Sequence, residues 1–520
     1  MRYPGESPED DESAVSRHAS LGLLAGLPDI ESGGTVALNR ANERVGSCFG
    51  HPQKPSRACG RVRGTISAIA IATVPSFVRL GVKRKLYPTS YLDGLRGVAA
   101  FIVFIDHFTT NWFDPLRRGY GSTDEDHHLA QLPFIRLLFA GRASVAVFFV
   151  ISGFVLSYRP IKEIRMEKFE SLLDTLASSV FRRGLRLYLP VAAGTFISML
   201  AAYWGWYRAL PESSTDSLPP DLPTFSEHFW YWRDHTVGVS WPLQDVMPNS
   251  PYAPPYNGHL WTIPIEFYGS MVVYVTVLGL SRCQAWIRLL LIGLGALLTL
   301  QYERWDICLF LSGILLAETS LISVSSDDFA LEYSEKRTGI FGILGSASLA
   351  CCRFLPTLNY LLLIFSLYLL SYPGEPWPEY ETPPGPFHHY LVSWTPPRYI
   401  ELWFGIERFW TTIGGVIVVF TISKSTNLQR PFTTRLAQYL GDISYALYIV
   451  HGPILFTAGT WFMDTYGQAT DSWHWGAAFI AGGIMNTVLC VWAADIFWRA
   501  VDAKSVGLAK WFAGKCWRTC

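Results

Sequence analysis

A succession of apolar runs, each long enough to cross a lipid bilayer, constrains this chain more than any other feature. They lie at 94–112, 140–158, 180–204, 260–280, 284–300, 305–320, within 340–371, and at 403–422, 437–460 and 474–498. A spanning helix needs about 20 predominantly apolar residues, and helices are one of only two architectures that satisfy their own backbone in hydrocarbon. The runs predict an all-α, polytopic integral membrane protein with about ten transmembrane helices; the 340–371 stretch holds one long helix or two short ones. Composition points the same way. Charged residues make up 16% of the chain, against roughly 25% in soluble domains. Its 20 Trp exceed the needs of a soluble core and suit the membrane–water interface.

Lys+Arg and Asp+Glu stand at 42 each, so net charge gives no reason to expect nucleic acid or another polyanion as a partner. The distribution of charge is more informative. The 159–186 connection carries Arg159, Lys162, Arg165, Lys168, Arg182, Arg183 and Arg186, and 423–436 carries Lys424, Arg430 and Arg435. The long 205–258 loop has only Arg208 and Arg233. With ten spans, the basic segments share one side with both termini, and the positive-inside rule makes that side cytoplasmic. An endoplasmic-reticulum or other endomembrane location is the default for such a multi-pass chain.

Residues 1–64 read as a disordered cytoplasmic tail, poor in periodicity and rich in Gly, Pro, Ser and charge. Residues 65–90 read as a basic interfacial segment, since the apolar stretch Ile66–Leu80 is short and broken by Pro75. A transmembrane domain over 91–498 and a basic cytoplasmic tail over 499–520 complete the division. The outer loops 205–258 and 372–402 are dense in Pro, Trp and Tyr and look like ordered covers. The nine Cys show no metal spacing; Cys283, Cys308 and Cys490 read as small apolar residues, and Cys516 and Cys520 as candidates for palmitoylation. His127-His128 and His388-His389 read as solvated loop pairs, and no metal is expected.

Ionisable residues inside spans cost at least ~2.5 kcal/mol at the bilayer centre, so each needs a reason. The first span contains Arg96, Asp106 and His107. Arg96 and His107 are eleven residues apart; steps of about 100° leave them about 20° apart around the helix and about 16 Å apart along it. A guanidinium at one end of a face and an imidazole at the other suit a long anionic donor threaded into the membrane. The bland alternative is a snorkelling Arg and a packing His. Arg182, Arg183 and Arg186 cluster at the inner mouth of the third span, either as phosphate ligands or as orientation signals. Glu266 lies about a turn and a half into the fourth span, where it should pair with a cation such as an imidazolium or stay neutral. Ser152-Gly153 reads as a close helix contact rather than a nucleophile. Ser444, Tyr448 and His451 fall near one stripe of the ninth span.

Six segments occur in order: YLDGLRGVAAFIVFIDH (91–107), SVAVFFVISGFVLS (144–157), RRGLRLYLP (182–190), LWTIPIEFYG (260–269), LFLSGILLAE (309–318) and GDISYALYIVH (441–451). Together they resemble the membrane-bound acyltransferase family 3. The resemblance implies about ten helices and acyl transfer, often of acetyl, from acyl-CoA as co-substrate to a hydroxyl of a small metabolite or carbohydrate. It implies His107 as the catalytic histidine, Arg96 as its partner, Arg186 in the basic motif and Glu266 in the acidic position. Arg182, Arg183, Arg186 and Arg96 would hold the phosphates, and Glu266 or Asp106 would support His107; no oxyanion donor is apparent. Two other classes compete: a transporter using the same charges as a solute or proton path, which inverted repeats would favour, and a non-catalytic membrane partner. Oligomeric state is not legible.

Overall fold

In the computed structural model, the described residues are 74–76, 85–208, 219–241, 252–334, 345–374, 384–468 and 472–517; the side chains of 323–355 are not described. The N-terminal segment expected to be disordered, and most of the basic segment after it, lie outside them. The long helices are α1 (Ser90–Trp112), α2 (Gly141–Arg165), α3 (Phe169–Tyr203), α4 (Phe225–Ser240), α5 (Thr262–Gly279), α6 (Ala285–Gln301), α7 (Trp305–Ser334) and α8 (Gly345–Leu370). They continue with α9 (Gly405–Ser423), α10 (Arg435–Ile454), α11 (Ser472–Phe497) and α12 (Ala503–Cys516). No strand occurs among the described residues.

The protein is all-α and polytopic. Among the described residues, seven helical stretches are long and apolar enough to cross a membrane: Gly141–Arg165, Phe169–Tyr203, Gly258–Gly279, Trp305–Ile322, Gly405–Ser423, Arg435–Tyr466 and Ser472–Cys516. The expected ten is not reached by this measure. Helix α6 and the Pro356–Leu370 part of α8 are apolar but shorter, and α1 carries Asp93, Arg96 and Asp106. Lipid-facing stripes are visible on the outermost helices. Ile480, Ile484 and Val488 on α11 are all more than half exposed and follow one another at i, i+4, the spacing of one helix face.

Two apolar cores hold the bundle. One packs Phe149 and Phe154 of α2 against Phe310 and Ile314 of α7, Val273 of α5 and Val419 of α9. The other packs Phe104 and Phe108 of α1 against Ile443 and Leu447 of α10, with Leu187 of α3 and Cys490 of α11. Helices α1 and α10 run parallel and almost touch. A Cβ added to Gly97 would lie 2.2 Å from the Gly441 nitrogen, so only glycine permits this approach.

Charges inside the bundle are paired, as the cost of isolated ions in lipid requires. Arg288 of α6 bonds Glu318 of α7 at 2.9 Å, and Arg165 reaches the same carboxylate at 3.4 Å. Arg142 of α2 bonds Glu407 of α9 at 3.0 Å.

The outer loops are ordered where they are described. Thr224 caps α4 by accepting from the Glu227 amide, and the Trp232 indole N–H donates to Thr195 of α3 at 3.0 Å. In the first outer loop Arg118 grips the buried carboxylate of Asp126 at 2.9 and 3.0 Å. The basic C-terminal segment is helical where it is described: a π-turn, Trp498–Asp502, leads into α12. Aromatic contacts of Phe181 with Phe512 and Trp517, at 5.8 and 5.9 Å, dock it against α3.

His388 lies in the outer cap, 2% exposed, with its ring stacked on Tyr368 at 4.9 Å. Burial first, and the charge of nearby Arg136 second, push its pKa down to about 4. The unfolded chain binds that proton near pH 6.5. Stability is therefore full above pH 6.5, falls as pH drops from 6.5 toward 4, and levels off below. Thermal unfolding of the detergent-solubilised protein should show this slope between pH 7 and 4.5, and His388→Gln should flatten it.

Candidate active site

Helix α1 presents Arg96 and His107 to the same neighbour, α10. The Arg96 Nε donates to Ser444 Oγ at 3.1 Å and an Nη to the Gly441 carbonyl at 3.0 Å, while Asp93, one turn earlier, lies 3.5 Å away. Ten residues beyond Gly97 and Gly441 on their respective helices, His107 Nδ1 lies 2.9 Å from His451 Nε2. The equal offsets follow from the parallel packing at Gly97 and Gly441. Neither side chain of α1 points into bare hydrocarbon.

A third imidazole completes the outer end. His259 sits in the 3-10 turn Gly258–Trp261 that opens into α5. Its ring centre is 4.0 Å from that of His107 and 4.9 Å from that of His451. Helix α10 clamps this turn: Tyr448 donates its hydroxyl to the His259 carbonyl and pairs with Thr262 at 2.7 Å, and the Asn257 amide donates to the Ile449 carbonyl at 2.8 Å. The Asn257 Oδ1 lies 3.4 Å from His259 Nδ1. Gly452 makes room for both, since a Cβ there would lie 2.6 Å from that oxygen and 2.7 Å from that nitrogen.

The other expected site residues are distributed differently. Glu266 pairs with the guanidinium of Arg183, at 2.5 Å, rather than with an imidazolium. The Arg183 Nε also donates to Ser270 at 2.9 Å, which makes this buried Arg a link between α3 and α5. Asp106 points toward α2, where a Cβ on Gly141 would lie 2.3 Å from its carboxylate. Among the described residues, neither Glu266 nor Asp106 bonds His107. Arg182 donates to the Ser178 carbonyl at 3.0 Å and remains half-buried with Arg186. Asp502, after α11, lies in the electrostatic reach of both Arg186 and Arg96, so those two cations share the inner end.

Sequence reasoning placed His451 with Ser444 and Tyr448 on one stripe but did not join it to His107, and it left His259 without a role. The stripe was the available signal: Ser444 meets Arg96, Tyr448 holds the His259 turn, and His451 meets His107. His107, His259 and His451 each bring one nitrogen to within 4.8 Å of the others, so a cation has three candidate ligands here.

The arrangement puts guanidinium groups at one end of a helix pair and imidazoles at the other. A family model described as an acyltransferase domain matches residues 89–495. The O-acetyltransferase PaAT-1 of Phomopsis amygdali is 30% identical over 475 residues, covering 86% of this chain and 88% of that protein. Acyltransferase clz18 of Cochliobolus lunatus is 24% identical, covering 74% of this chain and 85% of its own. Acyltransferase R4 of Phoma sp. is 23% identical, covering 75% and 86%. No solved structure matches. The matched region holds all three histidines and every arginine discussed above, and the chain belongs to this acyltransferase family as a membrane acyltransferase.

Proposed function

We propose that the protein moves an acyl group, acetyl in the first instance, from acyl-CoA to the hydroxyl of a small metabolite, with His107 as general base. The observation that carries the proposal is the pairing on one helix pair of Arg96 at one end with a half-buried imidazole, His107, about 16 Å away. A long polyanionic carrier with a thioester at its far end spans such a site. The positive-inside bias of the basic segments supports a cytoplasmic arginine end, where acyl-CoA is available. An endomembrane location fits the same topology.

Arg96, Arg182 and Arg186 supply positive charge for the carrier's phosphates. Arg183, held by Glu266 and Ser270, fixes the spacing of α3 and α5 around them. At the other end His107 takes the proton of the acceptor hydroxyl as its oxygen attacks the thioester carbonyl. The carbon–sulfur bond breaks, an ester forms, and the proton passes to the departing CoA sulfur. Base catalysis of this kind contributes typically ~10²–10⁴-fold, and holding donor and acceptor together adds to it. The name of the O-acetyltransferase relative supports an oxygen acceptor and an acetyl donor. The aromatic outer loops favour a small acceptor with a flat apolar body over a carbohydrate.

Membranes carrying the protein, incubated with labelled acetyl-CoA and a panel of small alcohols, should form a labelled ester. His107→Ala should lower that rate about 10²–10⁴-fold at unchanged protein level; an unchanged rate would remove His107 as the base. Arg96→Ala should raise KM for acetyl-CoA about 10–100-fold, the loss of one charge-assisted bond, with Arg96→Lys intermediate. Gly452→Ala should displace Asn257 and His259 and lower kcat by up to about 100-fold, as misplacement by an ångström does, with the protein still eluting as a single species in detergent.

A further inference from the structure

We infer that His451 is the positioning residue that decides which nitrogen of His107 is basic; this rests on the general-base reading of His107. The argument runs through protons that only certain atoms can hold. His451 Nδ1 lies 3.0 Å from the Leu447 carbonyl, one turn back on α10. A carbonyl oxygen can only accept, so this nitrogen carries the hydrogen. In a neutral imidazole the other nitrogen, Nε2, then presents a lone pair. His107 Nδ1, at 2.9 Å, must therefore be the donor. That leaves Nε2 of His107 with its lone pair, and no bond to it occurs among the described residues. The general base is Nε2, and its identity is set by a chain of two hydrogen bonds that ends on a backbone oxygen.

The ring geometry fits a direct hydrogen bond between the two imidazoles. The planes of His107 and His451 are 6° apart with centres separated by 5.1 Å. Nitrogens 2.9 Å apart with ring centres 5.1 Å apart put the contact between ring edges rather than between ring faces. The in-plane N–H of one then points along the in-plane lone pair of the other. Orienting groups of this kind are more often carboxylates. Here Asp106 points toward α2 and Glu266 is taken by Arg183, so a neutral imidazole fills the place. When His107 accepts a proton at Nε2, its Nδ1–H remains bonded to His451, and the positive charge is shared with a second ring instead of being met by an anion.

The alternative is that His451 only fills space beside Phe104, whose ring centre is 6.5 Å away. Two substitutions separate these roles. His451→Phe keeps an aromatic ring but has no acceptor. His451→Gln loses the ring but offers an amide oxygen close to where Nε2 stood. With acetyl-CoA and an active acceptor, His451→Phe should lower kcat about 10–100-fold with KM for acetyl-CoA unchanged, and His451→Gln should stay within several-fold of the parent. Equal rates for the two variants, or a faster His451→Phe, would overturn the inference. Should His451→Phe fail to accumulate, His451→Leu makes the same acceptor-free comparison. His107→Ala is measured alongside: if it remains active, the general-base reading fails, whereas an inactive His107→Ala beside a fully active His451→Phe removes only the role given to His451. Metal analysis of the purified parent closes the test. No stoichiometric metal is expected, and one metal per chain, lost in His451→Gln, would overturn the inference by making the three rings ligands.

Discussion

The contact between α1 and α10 is the constraint on which the rest of the site depends. Gly97 and Gly441 let two helices come close enough for their backbones to meet, and that contact sets which side chains of the two helices meet. Arg96 reaches Ser444 and the Gly441 carbonyl at one end; His107 reaches His451 at the other. Because hydrocarbon offers no hydrophobic gain for helix association, close packing and interhelical polar contacts must hold such a pair. This pair has both. The polar side chains that would be costly in lipid become the bonds that fix the register.

Much of the architecture was legible in the sequence because lipid imposes so simple a rule. The expected runs 94–112, 284–300 and 403–422 coincide with α1, α6 and α9 to within a few residues. Gly153, expected at a helix contact, lies against the Phe310 backbone of α7. The shared face of Arg96 and His107 follows from helical repeat alone. What could not be read was which helix that face meets. Periodicity orders residues within a span but says nothing about neighbours, so the approach of His451 from 344 residues away and of His259 from the 3-10 turn was invisible. Glu266 shows the same limit: its need for a cation was clear, but Arg183 on α3 rather than an imidazole meets it. The C-terminal segment shows the limit again: its basic residues were legible, but not that Phe512 and Trp517 meet Phe181 of α3.

The two ends of the site differ in how they are built. At the inner end cations are balanced by nearby carboxylates, Arg183 by Glu266 and Arg96 in part by Asp93. At the outer end three imidazoles gather with no carboxylate bonded to any of them among the described residues. The cluster is anchored through backbone carbonyls, which accept from His451 at Leu447 and, beside His259, from Asn257 at Ile449, acceptors whose charge does not change.

The parallel α1–α10 pair also bears on how the protein is made. A nascent chain delivers Arg96 and His107 to the membrane in its first span, hundreds of residues before the ribosome reaches Gly441 and His451. Until then the first helix carries a guanidinium and an imidazole without the groups that satisfy them, and contacts so distant along the chain are slow to close. The environment of both side chains is thus complete only once the last helices are in place, and a polypeptide terminated early would carry Arg96 and His107 without the partners that hold them.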